Sequence, residues 1–221
     1  VFTYTRQFDV PVEWADKTVL IDFEGVYRDA SVFINGDFAA HEPNGYAAFT
    51  VNADAFLKFG EVNTITVDAR AHRDSRWYTG AGIYRPVHLV VAGPVHLALD
   101  GTTVTTDDIE PDRAIVEVAT RVQNTTRRTR TLGLQWQIIS PPGERLLVPH
   151  AERWSPGHPA LHEVHLTLTD GDEVIDTDVV SFGIRRLQLD VVNGLRVNGE
   201  RVDLRGACVH HDNGPLGAVT H

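Results

Sequence analysis

The chain contains no methionine and only one cysteine, Cys208. A single cysteine rules out an internal disulfide, so no covalent staple can take the place of a hydrophobic core. Methionine is missing even at position 1, where the chain opens on the strand-like run Val1-Phe2-Thr3-Tyr4-Thr5. The expectation is that the true N-terminus is missing, and a cleaved signal peptide would leave no trace. No apolar run is long enough for a membrane-spanning helix, and no signal-peptide pattern is visible. Basic clusters are scarce. The one run, Arg127-Arg128-Thr129-Arg130, sits behind Asn124, Thr125 and Thr126 and reads as a solvated loop. With a formal charge of −10, the chain lacks the clustered Lys and Arg that phosphate contacts require. Neither nucleic acid nor membrane is expected as a partner. The expected compartment is the cytoplasm, with secretion left open by the missing N-terminus.

What is present is a core-forming sequence. The 221 residues are 42% hydrophobic and 23% charged, too apolar for disorder and long enough for two domains. The dominant pattern is alternation with period two. Val19, Ile21 and Phe23 share one strand face, as do Val32 and Ile34. Tyr46, Ala48 and Thr50 alternate with Phe49 and Val51. Ile65, Val67 and Ala69 follow, then Val87 to Val91, then Val95, Leu97 and Leu99. Asn35-Gly36 is a hairpin signal, because both residue types tolerate positive φ. Short strands spaced by Gly, Pro and Asn fit a β-sandwich or jelly roll. Asp54 to Phe59 is expected to make one helical turn starting near Asp54.

The register resets near Gly93-Pro94. Val116, Val118, Thr120 and Val122 form one stripe, and Leu132, Leu134, Trp136 and Ile138 another. Val164, Leu166 and Leu168 form a third, and Val174 to Val180 close the set. Some 90 residues of strands with a buried tryptophan suggest an immunoglobulin-like sandwich without its cysteine pair. A third stretch begins near Arg186. Leu195-Arg196-Val197 and Arg201-Val202-Asp203-Leu204 flank the turn Asn198-Gly199, and Arg205 to Val209 reads as a buried strand. The remaining residues are too few for an independent core, so a truncated third domain is expected.

Four constellations could carry chemistry. His158, His162, Glu163 and His165 resemble a zinc motif only in composition. The spacing is wrong for His-Glu-x-x-His, and on a strand His162 and His165 face opposite ways. The acidic residues fall mostly in turns and on solvent faces, and none pairs into the two-carboxylate arrangement that glycoside hydrolysis uses. The run Asp74 to Pro86 crowds Trp77, Tyr78, Tyr84, Asp74, Arg76 and Arg85 between two strands. Such a loop suits a carbohydrate contact. It equally suits a structural role, with Trp77 and Tyr84 at a core edge and Arg85 in a buried ion pair. His210-His211-Asp212 reads as the rim of a site at a barrel strand end, or as a capped turn; too few ligands accompany it for a metal.

These motifs resemble glycoside hydrolase family 2. Ile21-Asp22-Phe23-Glu24-Gly25-Val26, Ala30 to Gly36, Gly45-Tyr46 with Phe49, and Ser75 to Arg85 are similar to the family's sugar-binding domain. Trp154-Ser155-Pro156, Pro159-Ala160-Leu161 and Phe182-Gly183-Ile184-Arg185 are similar to the end of its immunoglobulin-like domain, with His162 where the family often has Tyr. Leu204-Arg205-Gly206 and His210-His211-Asp212 with Gly214 to Gly217 resemble the first strand of its barrel.

The resemblance implies an all-β chain. Residues 1–94 would be a jelly-roll sugar-binding domain, 95–185 an immunoglobulin-like β-sandwich, and 186–221 the truncated start of a (β/α)8 catalytic barrel. It implies the non-catalytic front of a retaining exo-β-glycosidase, with β-galactosidase favoured by the wording around His210. The acid/base and nucleophile glutamates would follow His221, so no catalytic residue is assigned and the fragment alone is expected to be inactive. His210 and Asp74 are the candidate substrate-binding residues, with Arg76, Trp77, Tyr78 and His211 weaker ones. No cofactor and no metal are expected. The partner is a carbohydrate, bound by the full-length enzyme, and self-association stays open. A free-standing carbohydrate-binding module, a purely structural role, and the family's β-glucuronidase or β-mannosidase activities remain alternatives.

Overall fold

The computed structural model of the chain describes residues 1–70, 80–109, 113–140, 144–145 and 151–208. The chain divides into two compact units, Val1–Gly93 with the chain end Ala207–His221, and Pro94–Gly206. The described residues contain strands and no α-helix; one 3-10 turn spans Val12–Trp14.

The first unit is a jelly-roll β-sandwich. In chain order its strands are β1 (Phe2–Val10), β2 (Thr18–Phe23), β3 (Val26–Tyr27), β4 (Ala30–Ile34) and β5 (Asp37–Glu42). They continue with β6 (Phe49–Asn52), β7 (Glu61–Ala69), β8 (Gly82–Ile83) and β9 (Val87–Ala92). One sheet has the order β1-β7-β4-β5, the other β6-β2-β9, and β3 pairs with β8. All pairings are antiparallel. The period-two stripes supply the core: Val19, Ile21 and Phe23 from β2 meet Val32 and Ile34 from β4 and Val67 and Ala69 from β7, all buried. Phe23 stacks flat on Phe49, 4.6 Å between centroids.

The Asn35-Gly36 turn forms with φ of +52° and +91°, the left-handed pair a tight hairpin needs. Its asparagine also reaches inward. The Asn35 amide nitrogen donates to Phe56 O at 2.9 Å and to Asn63 Oδ1 at 2.7 Å. Asn63 is fully buried and otherwise satisfied, donating to Lys58 O and Glu61 O and accepting from the Lys58 N–H. The one helical turn expected over Asp54 to Phe59 is reduced to a hydrogen-bonded turn, in which the Phe56 N–H donates to Ala53 O at 2.9 Å. The Asp54 carboxylate instead accepts the Val19 N–H at 2.6 Å, which ties the turn to β2 and leaves no cap for a helix.

The second unit is another β-sandwich. Its strands are β10 (Val95–Leu97), β11 (Thr103–Ile109), β12 (Ala114–Ala119), β13 (Val122–Asn124), β14 (Gly133–Ser140) and β15 (Glu144–Arg145). They continue with β16 (His162–Asp170), β17 (Glu173–Phe182), β18 (Leu187–Asp190), β19 (Gly194–Val197) and β20 (Glu200–Arg201). The main sheet runs β15-β14-β16-β17; β10-β13, β11-β12 and β18-β19-β20 form smaller ones. Val164, Leu166 and Leu168 are the centre of its core, with Val95, Leu97, Ile138, Phe182 and Ile184. The Leu97 N–H donates to Asp176 Oδ2 at 2.7 Å, joining β10 to β17.

The expectation of a buried tryptophan in the Leu132 to Ile138 stripe fails. Trp136 lies opposite Leu166 in register, yet it is 53% exposed while Leu166 is buried. On its other side β14 meets only the two residues of β15, at Ile139 and Ser140. The middle of β14 is therefore a sheet edge among the described residues, and an edge leaves a large ring half in solvent.

The turn Asn198-Gly199 also forms, with positive φ at both residues. Asn198 accepts the Arg186 N–H at 3.0 Å and donates to Trp154 O at 2.9 Å. These bonds fasten the β18-β20 hairpin to the sandwich that precedes it.

Candidate functional site

Asp74, Arg76, Trp77, Tyr78, His210 and His211 lie outside the described residues. What the structure does show is how the segment carrying Asp74 is held. Its two stems are fastened to consecutive residues. On one side the Arg70 N–H donates to Arg28 O at 2.9 Å. On the other, Gly82 is the strand partner of Tyr27. The adjacent residues Tyr27 and Arg28 thus anchor both stems of the segment.

The motif residues gather around that anchor. Tyr84 donates its phenol O–H to Gly45 O at 3.0 Å, and its own N–H to Gly25 O at 3.3 Å. A Cβ on Gly25 would stand 2.6 Å from the Tyr84 ring, and one on Gly45 would overlap the Tyr27 ring. Those two glycines are needed because aromatic rings lie directly on the backbone. Tyr27 packs edge-on against Tyr46 at 5.3 Å, and the Arg28 guanidinium lies 5.7 Å from the Tyr27 ring centre. Phe23-Glu24-Gly25-Val26, Gly45-Tyr46 and Gly82-Ile83-Tyr84-Arg85, far apart in sequence, are one aromatic cluster at the root of the loop.

The cluster's electrostatics are mild. Burial pushes the Tyr84 phenol above the ordinary tyrosine value, partly offset by the neighbouring Arg85 charge. Arg85 itself is exposed and lies 6.0 Å from the Tyr84 ring centre, not in a buried ion pair. Two histidine–carboxylate contacts flank the cluster, His41 to Asp29 at 2.5 Å and His88 to Glu24 at 2.8 Å. Both are surface pairs, worth little each. The described part of this loop is therefore scaffold, and it holds in place the stretch where the sugar-contact candidates lie.

The histidine-rich run behaves as strand geometry dictates. His162 is fully buried beside Phe182, its Nε2 2.9 Å from Glu152 O. His165 points the other way, its Nε2 2.9 Å from Glu163. Among the described residues no cluster of three or more His, Cys, Asp and Glu could hold a metal. Sequence reasoning missed the pairing of Tyr27-Arg28 with both loop stems. Two adjacent residues without a turn signature gave no local cue for it.

Comparison with known proteins agrees along the length of the chain. Residues 1–93 match the family model described as glycosyl hydrolases family 2, sugar binding domain, and residues 137–185 the model described as glycosyl hydrolases family 2. The β-galactosidase BoGH2A of Bacteroides ovatus is 30% identical, the alignment covering 99% of this chain and 28% of that protein. A putative β-glucuronidase of Formosa agariphila is 31% identical, covering 98% of this chain and 22% of that protein. Among solved structures, a glycosyl hydrolase family 2 member from Bacteroides cellulosilyticus superposes with a TM-score of 0.89 at 31% identity. That match covers 98% of this chain and 31% of the other. The chain thus spans about a fifth to a third of these relatives. With both family models matched in order and the anchoring cluster built from the matched motifs, the chain belongs to glycosyl hydrolase family 2.

Proposed function

We propose that the whole protein is a retaining exo-β-glycosidase acting on terminal β-galactosides, and that this chain is its non-catalytic front. The observation that carries the reading is the alignment of 99% of the chain with a β-galactosidase of which it makes up 28%. In this reading residues 186–221 begin a (β/α)8 barrel. The acid/base and nucleophile glutamates stand on later strands, their carboxyls about 5–5.5 Å apart as retention requires. His210 lines the sugar pocket, hydrogen-bonding substrate where charge develops. Asp74 reaches the same pocket from the jelly roll, and its supporting feature is the Tyr27-Arg28 anchor, which fixes both stems of its loop. Arg76, Trp77, Tyr78 and His211 are further rim candidates.

The test is turnover of nitrophenyl β-galactoside and β-glucuronide. The full-length protein is expected to hydrolyse the galactoside, and the 221-residue chain neither. Clear turnover by the chain alone sinks the reading. A β-glucuronidase is the second reading, favoured by the 31% identical Formosa agariphila relative; preference for the glucuronide by the full-length protein would establish it. Asp74→Ala in the full-length protein is expected to lower kcat/KM at least tenfold, whereas a purely structural first unit predicts no change. A free-standing carbohydrate-binding module predicts galactose or lactose binding by the chain alone in titration calorimetry, and little heat is expected.

A further inference from the structure

Five of the eight asparagines stand before a glycine: Asn35, Asn44, Asn193, Asn198 and Asn213. Asn213 lies outside the described residues. A glycine nitrogen carries no side chain beside it to shield it, so it can approach the carboxamide of the preceding asparagine. Such a pair is a place where the chain can modify itself, unless the fold holds the carboxamide away. The four described pairs differ in how firmly they are held.

Asn35 and Asn198 are clamped. The Asn35 carboxamide donates to Phe56 O and Asn63 Oδ1 and accepts the Thr64 N–H at 3.0 Å. That of Asn198 accepts the Arg186 N–H and donates to Trp154 O. Each bridges segments far apart in sequence, and turning it toward the next nitrogen breaks every one of these bonds. Asn44 is exposed, but Gly45 is buried and pressed against the Tyr27 ring, and Asn44 Oδ1 accepts the Tyr46 N–H at 2.8 Å. Asn193 is held within its own turn. It is exposed, and among the described residues no atom stands within 4 Å of where a Cβ on Gly194 would be. Its Nδ2 donates to the exposed Asp190 at 3.2 Å, and its Oδ1 accepts from the Arg196 guanidinium at 2.9 Å. That cation polarises the carbonyl and stabilises the negative charge that develops on Oδ1 when a nucleophile adds to Cγ.

We propose that Asn193 is a self-modification site, which deamidates through a cyclic imide with Gly194 to aspartate and isoaspartate. The Gly194 nitrogen gives its proton to a solvent base and bonds to Asn193 Cγ. The Cγ–Nδ2 bond then breaks, and that nitrogen takes a proton from water and leaves as ammonia. Water next opens the imide. Attack at Cγ leaves an aspartate, and attack at the main-chain carbonyl carbon leaves an isoaspartate. One water is consumed and one ammonia released. In the aspartate form a carboxylate oxygen replaces the Nδ2 that donated to Asp190, so a bond becomes a contact between like charges. The isoaspartate form also inserts a methylene into the main chain between the strand partners Asp190 and Gly194. Either product loosens the turn between β18 and β19 as the protein ages. The proposal does not depend on which sugar the protein cleaves.

Peptide mapping by mass spectrometry, on the full-length protein kept in mildly alkaline buffer, tests it. The peptide carrying Asn193 should gain about 1 Da as the amide becomes an acid. It should do so at least about tenfold faster than the peptides carrying Asn35 and Asn198, whose conversion waits on local opening. In urea, where the fold no longer separates them, all four pairs should convert at similar rates. Asn193→Gln should abolish the fast gain and leave the other peptides as they were. An Asn193 that stays an amide while the urea-treated protein converts overturns the proposal. So does an Asn35 or Asn198 that keeps pace with it, or a fast gain that survives Asn193→Gln.

Discussion

The two units build sandwiches by different means. In the first, the inward stripes of β2, β4 and β7 are buried, and polar side chains add a second framework. Asn35 and Asn63 lock a hairpin to a neighbouring turn, and Tyr84 ties three loops together. In the second, the centre of β16 is buried, but Leu134 and Trp136 opposite it are not. Its polar framework includes the Asp176 contact to Leu97, the buried His162 on Glu152 O and the Asn198 staple. A single period-two pattern thus yields both a sealed strand and a half-open one. The difference lies in whether a further strand flanks it.

That contrast can be broken at named places. Phe23→Ala should cost the first unit about 3–5 kcal/mol, since it empties a fully buried ring site; urea unfolding followed through β2 amides measures it. A loss below 1 kcal/mol would mean that this core is not the sealed one. Asn63→Ala should cost about 1–3 kcal/mol, because the Lys58 N–H and the Asn35 amide lose their acceptor in a buried site. Tyr84→Phe should cost about 1 kcal/mol and change the pH profile. The folded state holds the Tyr84 proton to higher pH than the unfolded chain does. This contribution is complete below about pH 10 and fades as pH rises past the raised value. The wild-type chain should therefore lose urea stability above about pH 10 more steeply than Tyr84→Phe. Parallel profiles would remove burial as the cause. Smallest is Trp136→Ala, expected to change stability by under about 1 kcal/mol; a loss like that of Phe23→Ala would show the edge to be covered.

The strands were legible because alternation is a local signal. Val19, Ile21 and Phe23 declare one face within five residues, and Asn35-Gly36 declares its turn in two. The same signal misled at Trp136, since alternation names a face and not whether a neighbouring strand covers it. Asp54 misled in a similar way: an aspartate before a short apolar run suggests a cap, but its carboxylate serves a strand 35 residues away. The anchoring of the candidate loop was legible only as a set of separated motifs. Gly25, Gly45 and Tyr84 explain one another through contacts that no single stretch of sequence reveals. Of the site residues read from the motifs, Asp74, Arg76, Trp77, Tyr78, His210 and His211 fall outside the described chain. For Asp74, Arg76, Trp77 and Tyr78 the structure adds the fastening of the segment that carries them.

Fastening both stems of the Asp74 segment to two adjacent residues has a consequence for variation. The stems meet at Tyr27 and Arg28 before the segment begins. Lengthening a loop whose ends are already joined costs only about 0.6 kcal/mol per doubling. Insertions and rewritten sequence between Arg70 and Gly82 can therefore accumulate at little expense to the fold. The jelly roll is, in this sense, a socket, into which a different reach and chemistry can be fitted without rebuilding the body that holds it.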